Sequence, residues 1–427
     1  MKLTALLLGS ALAAASAPSA AAGEPAVAVS TASGAAPAEE RRGGGFDWLL
    51  RQAEAAFTSD NRTFGEVHLP VIAANPNSGM TYGVLPVWLT HNSRHEIVQI
   101  FAPMLTYNST YGAAFSGSYY YYPSGDEETR VILERSEKTN YRAAVKYDNR
   151  ALFGGRATLL IDTNYEADGG VQFYGVGPAT TRSGEASERL LEYYARGELG
   201  VKFWDSWSAA AGWKLRRTEV ENGPFPTPMT LDPGLRTKTS YSLPRLRVTR
   251  DTRDLAFTPS RGSLTEAFVE CSRTALGSSA DYERYGGQWR FYRQTSPNLI
   301  TVLHAQTDWA GGGDIPFTAL SALGGSRSLR GYAEGRFQDR GSAFANVEER
   351  WRVHSIDMVH SLTEFQIAPF FETGTVFPSP GRAQARYLAS VGGVAFRAVV
   401  KPSVVGKVEI GIGREGPAVF VGIDYPF

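Results

Sequence analysis

The feature that most constrains this chain is a period-two alternation held over long runs. Ala143, Val145 and Tyr147 alternate with Arg142, Lys146 and Asp148, and Leu199, Val201 and Phe203 alternate with Arg196, Glu198 and Lys202. Val347, Trp351 and Val353 alternate with Asn346, Glu348, Arg350 and Arg352, and Val408, Ile410 and Ile412 alternate with Lys407 and Glu409. Successive side chains of a strand point to opposite faces, so each run has one apolar face and one polar face. The runs are roughly ten to thirteen residues long, against about 5–6 for a soluble strand, and about 9–11 tilted residues cross a bilayer core. The polar faces carry charges of both signs, which suits a wet lumen. Aromatic residues gather near run ends (Tyr119 to Tyr122, Trp204, Trp207, Tyr292, Trp309), as interfacial girdles do. The pattern predicts an all-β chain folded as a transmembrane antiparallel β-barrel.

Composition removes other classes. The 43 Lys+Arg balance the 43 Asp+Glu, so no basic excess exists for wrapping nucleic acid. Beyond residue 22 no apolar stretch is long enough for a helical span. One cysteine, Cys271, excludes a disulfide scaffold and a thiolate zinc cluster. The six histidines form no Ser/His or His/Asp pattern, and no G-x-S-x-G elbow is present. The sequence therefore predicts no catalytic residues, no metal site and no cofactor.

Residues 1–22 place Lys2 before an apolar run and then small residues, which reads as a secretory signal peptide. Residues 23–63 read as a flexible Ala/Gly/Pro/Ser-rich leader, with a short amphipathic helix over 46–57 that presents Phe46, Leu49, Leu50, Ala53 and Phe57 on one face. The barrel is expected over 64–427. Thirteen strands fall between 139 and 427, and 64–136 offers up to five more.

Between the runs at 298–310 and 341–354 lies LGGSRSLRGYAEGRFQDRG, residues 323–341, too long for a hairpin turn. Its Leu329-Arg330-Gly331-Tyr332 resembles the tip of the loop that folds into the lumen in the BamA/TamA-like outer-membrane barrel superfamily, the bacterial surface antigen barrels. Arg250-Asp-Thr-Arg-Asp-Leu-Ala-Phe-Thr-Pro-Ser-Arg-Gly262 is similar to that family's periplasmic turn, with Asp251, Arg253, Asp254, Pro259 and Gly262 at its motif positions. Phe370-Phe-Glu-Thr-Gly374 is similar to its F-x-D-x-G strand, with Phe370, Glu372 and Gly374 in register, and Phe173-Tyr174-Gly175-Val176-Gly177 is similar to a motif of the surface-antigen branch. Tyr425 and the final Phe427 resemble the terminal signal read by the outer-membrane assembly machinery.

The resemblance implies about sixteen strands, so that segment 66–74 or part of 127–136 would not be one. It also implies that Arg330 pairs with Glu372, which the alternation already turns toward the lumen; here Glu replaces the family's usual Asp. Glu348, Arg350 and Arg352 on the neighbouring strand could extend the network. Residues 23–63 are too few for a periplasmic POTRA domain, so the sequence reads as a POTRA-less member. The expected location is the outer membrane of a Gram-negative-type bacterium. Expected partners are outer-membrane lipid and lipopolysaccharide, the assembly machinery for its own insertion, and an unidentified protein substrate or periplasmic partner, with no nucleic acid. Two functions follow: membrane-protein assembly, protein translocation or lipid handling, or a passive pore or structural barrel whose loop is a plug.

Overall fold

A computed structural model describes residues 58–423 apart from 62–63, 76–78, 94–96, 228, 231, 257, 359–360 and 401–403. The chain enters the sheet through β1 (Thr58–Asn61) and β2 (Phe64–Asn75). It meanders through β3 (Gly79–His91), β4 (Ile97–Asn108), β5 (Gly112–Ser124), β6 (Glu127–Ser136), β7 (Tyr141–Ala151) and β8 (Ala157–Asp168). After the short β9 (Gln172–Phe173) come β10 (Ala186–Trp204), β11 (Trp207–Asn222), β12 (Lys238–Asp251), β13 (Gly262–Ser272), β14 (Tyr282–Ser296) and β15 (Leu299–Gly312). A small hairpin, β16 (Ser321–Leu323) with β17 (Phe337–Asp339), interrupts the meander. It resumes with β18 (Gly341–Met358), β19 (Ser361–Phe377), β20 (Ala389–Val400), β21 (Val404–Gly413) and β22 (Gly416–Ile423).

Among the described residues all but β1, β9, β16 and β17 are long strands, which gives eighteen where about sixteen were expected. Both doubtful segments are strands: β2 pairs with β3 from Phe64 to Asn75, and β6 pairs with β7 from Glu127 to Arg135. The sheet also begins before the expected boundary at 64, because Thr58–Asn61 pairs back onto Phe64–Val67. The signal peptide at 1–22, the helix at 46–57, Tyr425 and Phe427 lie outside the described residues.

Each long strand pairs antiparallel with its neighbours in sequence, and among the described residues the two ends of the meander meet at one pair, Ala74 opposite Val419. Period two decides what each face carries. Val84, Leu105, Tyr107, Leu199, Leu215, Trp351, Phe371 and Ile412 are exposed on the outer face. On the inner face Glu128, Glu198, Glu270, Glu348, Arg350, Arg397 and Glu409 are buried. This inverts the usual order of a soluble domain and matches a sheet whose outer solvent is hydrocarbon. The inner charges meet across strands, as where Arg245 reaches Glu270 at 2.6 Å and Arg247 reaches Glu198 at 2.8 Å.

The longest connections, 168–186, 222–238 and 312–341, all lie at one end of the sheet, while 204–207 and 296–299 turn tightly at the other. An even number of long strands puts the start of β2 and the end of β22 at the tight-turn end.

Candidate functional site

The site is assembled on the inner faces of β18, β19, β20 and β21. Register places Asn346 of β18 opposite Glu372 of β19, and Arg397 of β20 opposite Lys407 of β21. Alternation brings Glu348, Arg350, Glu372, Arg397, Lys407 and Glu409 to one side of the sheet. The long connection between β15 and β18 then delivers one further charge, Arg330, which is 0% exposed.

Each of the four nitrogens of Arg330 donates. Its backbone N–H donates to Glu372 Oε2 at 2.7 Å and its Nε donates to Glu372 Oε1 at 2.8 Å. One terminal nitrogen reaches Glu409 at 2.5 Å and the other reaches Glu348 at 3.4 Å. The guanidinium lies over the Phe370 ring, 3.5 Å from its centroid. The network continues outward: Glu348 accepts from Arg350 at 2.7 Å and from Arg397 at 2.6 Å, and Lys407 lies 3.0 Å from Glu409. Four cations thus share three carboxylates in a site closed to solvent. Burial by itself would lower the Arg330 pKa, but Glu372, Glu348 and Glu409 outweigh it and raise it. The charged partners offset the several kcal/mol that burying a lone guanidinium would cost.

The backbone at the loop tip is shaped for this contact. Leu329 adopts φ 47, a left-handed conformation that a residue with a Cβ rarely takes. Tyr332 N–H donates to Leu329 O at 2.9 Å and closes the turn. A Cβ on Gly331 would lie 2.5 Å from the backbone nitrogen of Gly413, so the tip lies directly against the β21 main chain. Leu329 and Tyr332 bury their side chains with Leu323, Phe344, Phe370 and Val376. Gly374 holds its place on β19, opposite Phe344 of β18.

A second arginine of the same connection clamps its far side. Arg336 is 2% exposed. Its Nε donates to Glu415 at 2.8 Å, and its terminal nitrogens donate to Thr180 Oγ1 at 2.9 Å and Thr180 O at 2.8 Å. It also lies 4.6 Å from the Tyr174 ring centroid, and Gly177 N–H donates to Gln338 O at 2.7 Å. The Phe173–Gly177 segment is therefore the seat on which residues 335–339 rest.

The structure joins Arg330 to Glu372 and brings Glu348 and Arg350 into the same cluster. Arg352 does not join it. Arg352 shares their face of β18, but it stands at the tight-turn end, where it pairs with Glu364 at 2.6 Å and donates to Pro297 O. Glu409, Arg397, Lys407 and the Arg336 clamp were not expected. Alternation on β20 and β21 could have marked the first three as inward; nothing local marks the partners of Arg336.

The 250–262 connection is a closed turn. Arg253 Nε donates to Asp251 Oδ1 at 2.9 Å, and Asp254 Oδ1 accepts from the Leu255 N–H at 3.0 Å and the Ser260 N–H at 2.9 Å. Pro259 is buried beside them, and Gly262 takes φ 94 to restart the strand.

Comparison with known proteins gives this geometry a family. The Omp85 superfamily domain matches residues 126–397, more than half of the chain. An outer membrane protein assembly factor BamA from Nitratidesulfovibrio vulgaris is 29% identical over 154 residues, which is 32% of this chain and 18% of that protein. The chain thus spans less than a fifth of that relative's length. Among solved structures, BamA from Haemophilus ducreyi lacking POTRA domains 1–3 has the same fold, with a TM-score of 0.51 at 13% identity over 88% of this chain and 76% of that one. CdiB from Acinetobacter baumannii matches with a TM-score of 0.47 at 13% identity, over 85% of this chain and 60% of that one. The chain belongs to the Omp85 superfamily and is an integral β-barrel protein of the bacterial outer membrane.

Proposed function

We propose that the protein handles a polypeptide substrate at the outer membrane, assisting insertion or translocation, with the 312–341 connection as a brace inside the barrel lumen. The carrying observation is the position of Arg330. It ties the connection to β18, β19 and β21 at once, next to β22, the strand that among the described residues meets β2 at one pair. A brace there keeps the wall beside the seam rigid while the seam itself stays lightly held. The long connections, including 312–341, face outward from the cell and the tight turns face the periplasm, the usual arrangement of outer-membrane barrels. The name of the BamA relative, an outer membrane protein assembly factor, supports assembly as the class of activity, and the chemistry is non-covalent handling rather than catalysis.

The test is in-cell photocrosslinking from Gln306, an exposed inner-face position of β15 outside the charge cluster, and from Phe420 at the seam, with mass-spectrometric identification of what is captured. Capture of a defined outer-membrane or secreted protein is the expected outcome. Capture of lipid alone, or of nothing, would leave a conduit or structural barrel in its place.

A further inference from the structure

We propose that the first hairpin of the sheet, β2–β3 with β1 folded against it, is a detachable flap that leaves the wall as a unit. Prolines mark both outer edges of this hairpin. Between β3 and β4 the ladder runs from Thr81 to Val84, stops, and resumes at Trp88. The register is the same on both sides of the gap: Val84 faces Leu105 and Trp88 faces Phe101. Pro86 therefore stands directly opposite Pro103.

In an antiparallel ladder, hydrogen-bonding positions alternate with non-bonding ones. Two facing prolines at a bonding position remove both N–H donors, and this accounts for the whole interruption at 85–87 and 102–104. Every other neighbouring pair of long strands within the meander keeps an unbroken run at least as long as that of β12–β13, Arg245 to Asp251. Pro369 also interrupts a ladder, but β18–β19 stays continuous from Gly341 to Glu348.

The same alternation fixes the opposite edge of the hairpin. If Pro86 directs its backbone toward β4, Leu85 and Val87 direct theirs toward β2. Their partners Leu69 and Val67 then face β3, while His68, Pro70 and Ile72 face the seam. Pro70 thus removes a donor from the seam edge. Among the described residues that edge meets β22 at Ala74 alone, and β1 covers it from Phe64 to Val67. Both outer edges of one hairpin carry proline at a bonding position.

Proline in a sheet is otherwise kept to edge strands, and unpaired carbonyls are costly in hydrocarbon. At one end of the joint with β4, Asn108 donates to Met80 O at 2.9 Å and Thr81 Oγ1 at 3.0 Å. Across the proline gap what holds the hairpin to β4 on the inner face is apolar: Val87 and Leu89 pack with Ile97, Ile100 and Ala102. Such packing has no required register, unlike the ion cluster under β18–β21. When the flap leaves, β4 and β22 become the free edges. They run antiparallel, and the remaining wall, β4 to β22, is still an even-numbered meander.

Hydrogen exchange on the full chain in lipid nanodiscs tests this. Residues 64–91 should lose protection together, on the order of tenfold faster than the strands from β4 to β22. The double variant Pro86→Val/Pro103→Val should slow their exchange. Should that variant not fold, Val84→Cys/Leu105→Cys replaces it, compared with its disulfide formed and reduced; the oxidised form should slow exchange over 64–91. Exchange of 64–91 no faster than the rest overturns the flap. So does exchange of β2 alone while β3 stays protected with β4, or an unchanged rate in the bridged protein.

Discussion

Two stretches of one sheet are held by opposite means. From β18 to β21 the strands are joined by a buried charge cluster and a loop tip pressed on the main chain, so every partner has one allowed position. Between β3 and β4 the joint is a proline-broken ladder and largely non-directional apolar contact. The difference shows how one barrel wall can be rigid on one side of its seam and loose on the other. Directional, desolvated contacts resist sliding, while a ladder interrupted by two facing prolines resists it less.

The sharpest way to break this contrast is Arg330→Ala. It leaves Glu372, Glu348 and Glu409 buried around a missing cation, and loss of one partner from such a cluster costs about 3–5 kcal/mol. Thermal unfolding in detergent, read as heat-modifiable gel mobility, should fall accordingly. Hydrogen exchange should rise across β18–β21 and stay unchanged over residues 64–91. Equal loosening of both stretches would show that they are not independent.

Gly331→Val should act next most strongly. The added side chain meets the β21 main chain, so the tip must lift and pull Arg330 from its carboxylates. Overpacking of this kind costs about 1–3 kcal/mol. An unchanged unfolding temperature would mean that the tip has room to shift.

Arg336→Ala should release the outer clamp without touching the cluster. Its hydrogen bonds to Glu415 and Thr180 are charge-assisted, each worth about 1.5–3 kcal/mol. The expected sign is protease cleavage within 169–185 or 323–341, with exchange in β18–β21 little changed. Arg352→Ala should cost no more than about 1 kcal/mol, because its partly exposed pair with Glu364 stands apart from the cluster. A loss as large as that of Arg330→Ala would return Arg352 to the network.

The smallest effect belongs to the 250–262 turn. Burial acts to raise the Asp254 pKa, but donors from Ser260, Arg261 and Leu255 outweigh it and hold it below the ordinary aspartate range. A group lowered in the folded state adds stability above its unfolded pKa, about 3.9, and loses it as pH falls through the folded value. The difference in unfolding temperature between wild type and Asp254→Asn should therefore narrow below about pH 4. A constant difference down to pH 2 or so would show that the carboxylate is not the relevant species.

Much of this was legible before any coordinates. Alternation depends only on the residue and its neighbours two places away, so it revealed the strands, the lipid-facing side and the inward direction of Glu348, Arg350 and Glu372. The figure of sixteen strands came from the resemblance, whereas alternation allowed up to eighteen, β2 and β6 among them. Alternation did group Arg352 with Arg350, since period two gives the face of a residue but not its depth along the strand.

What the sequence determined by itself is the set of local rules: which faces are apolar, where turns close on Asp254 and Gly262, and which loop carries the Leu-Arg-Gly-Tyr tip. Only the tertiary structure decided the partners. Arg330 meets Glu409 across 79 positions of chain, and Arg336 meets Thr180 across 156. Pro86 faces Pro103 only once β3 and β4 take their register. The physical reason is the same in each case. A side chain's direction is set by the backbone that carries it, but its partner is set by how strands far apart in sequence align, and no local pattern encodes that alignment.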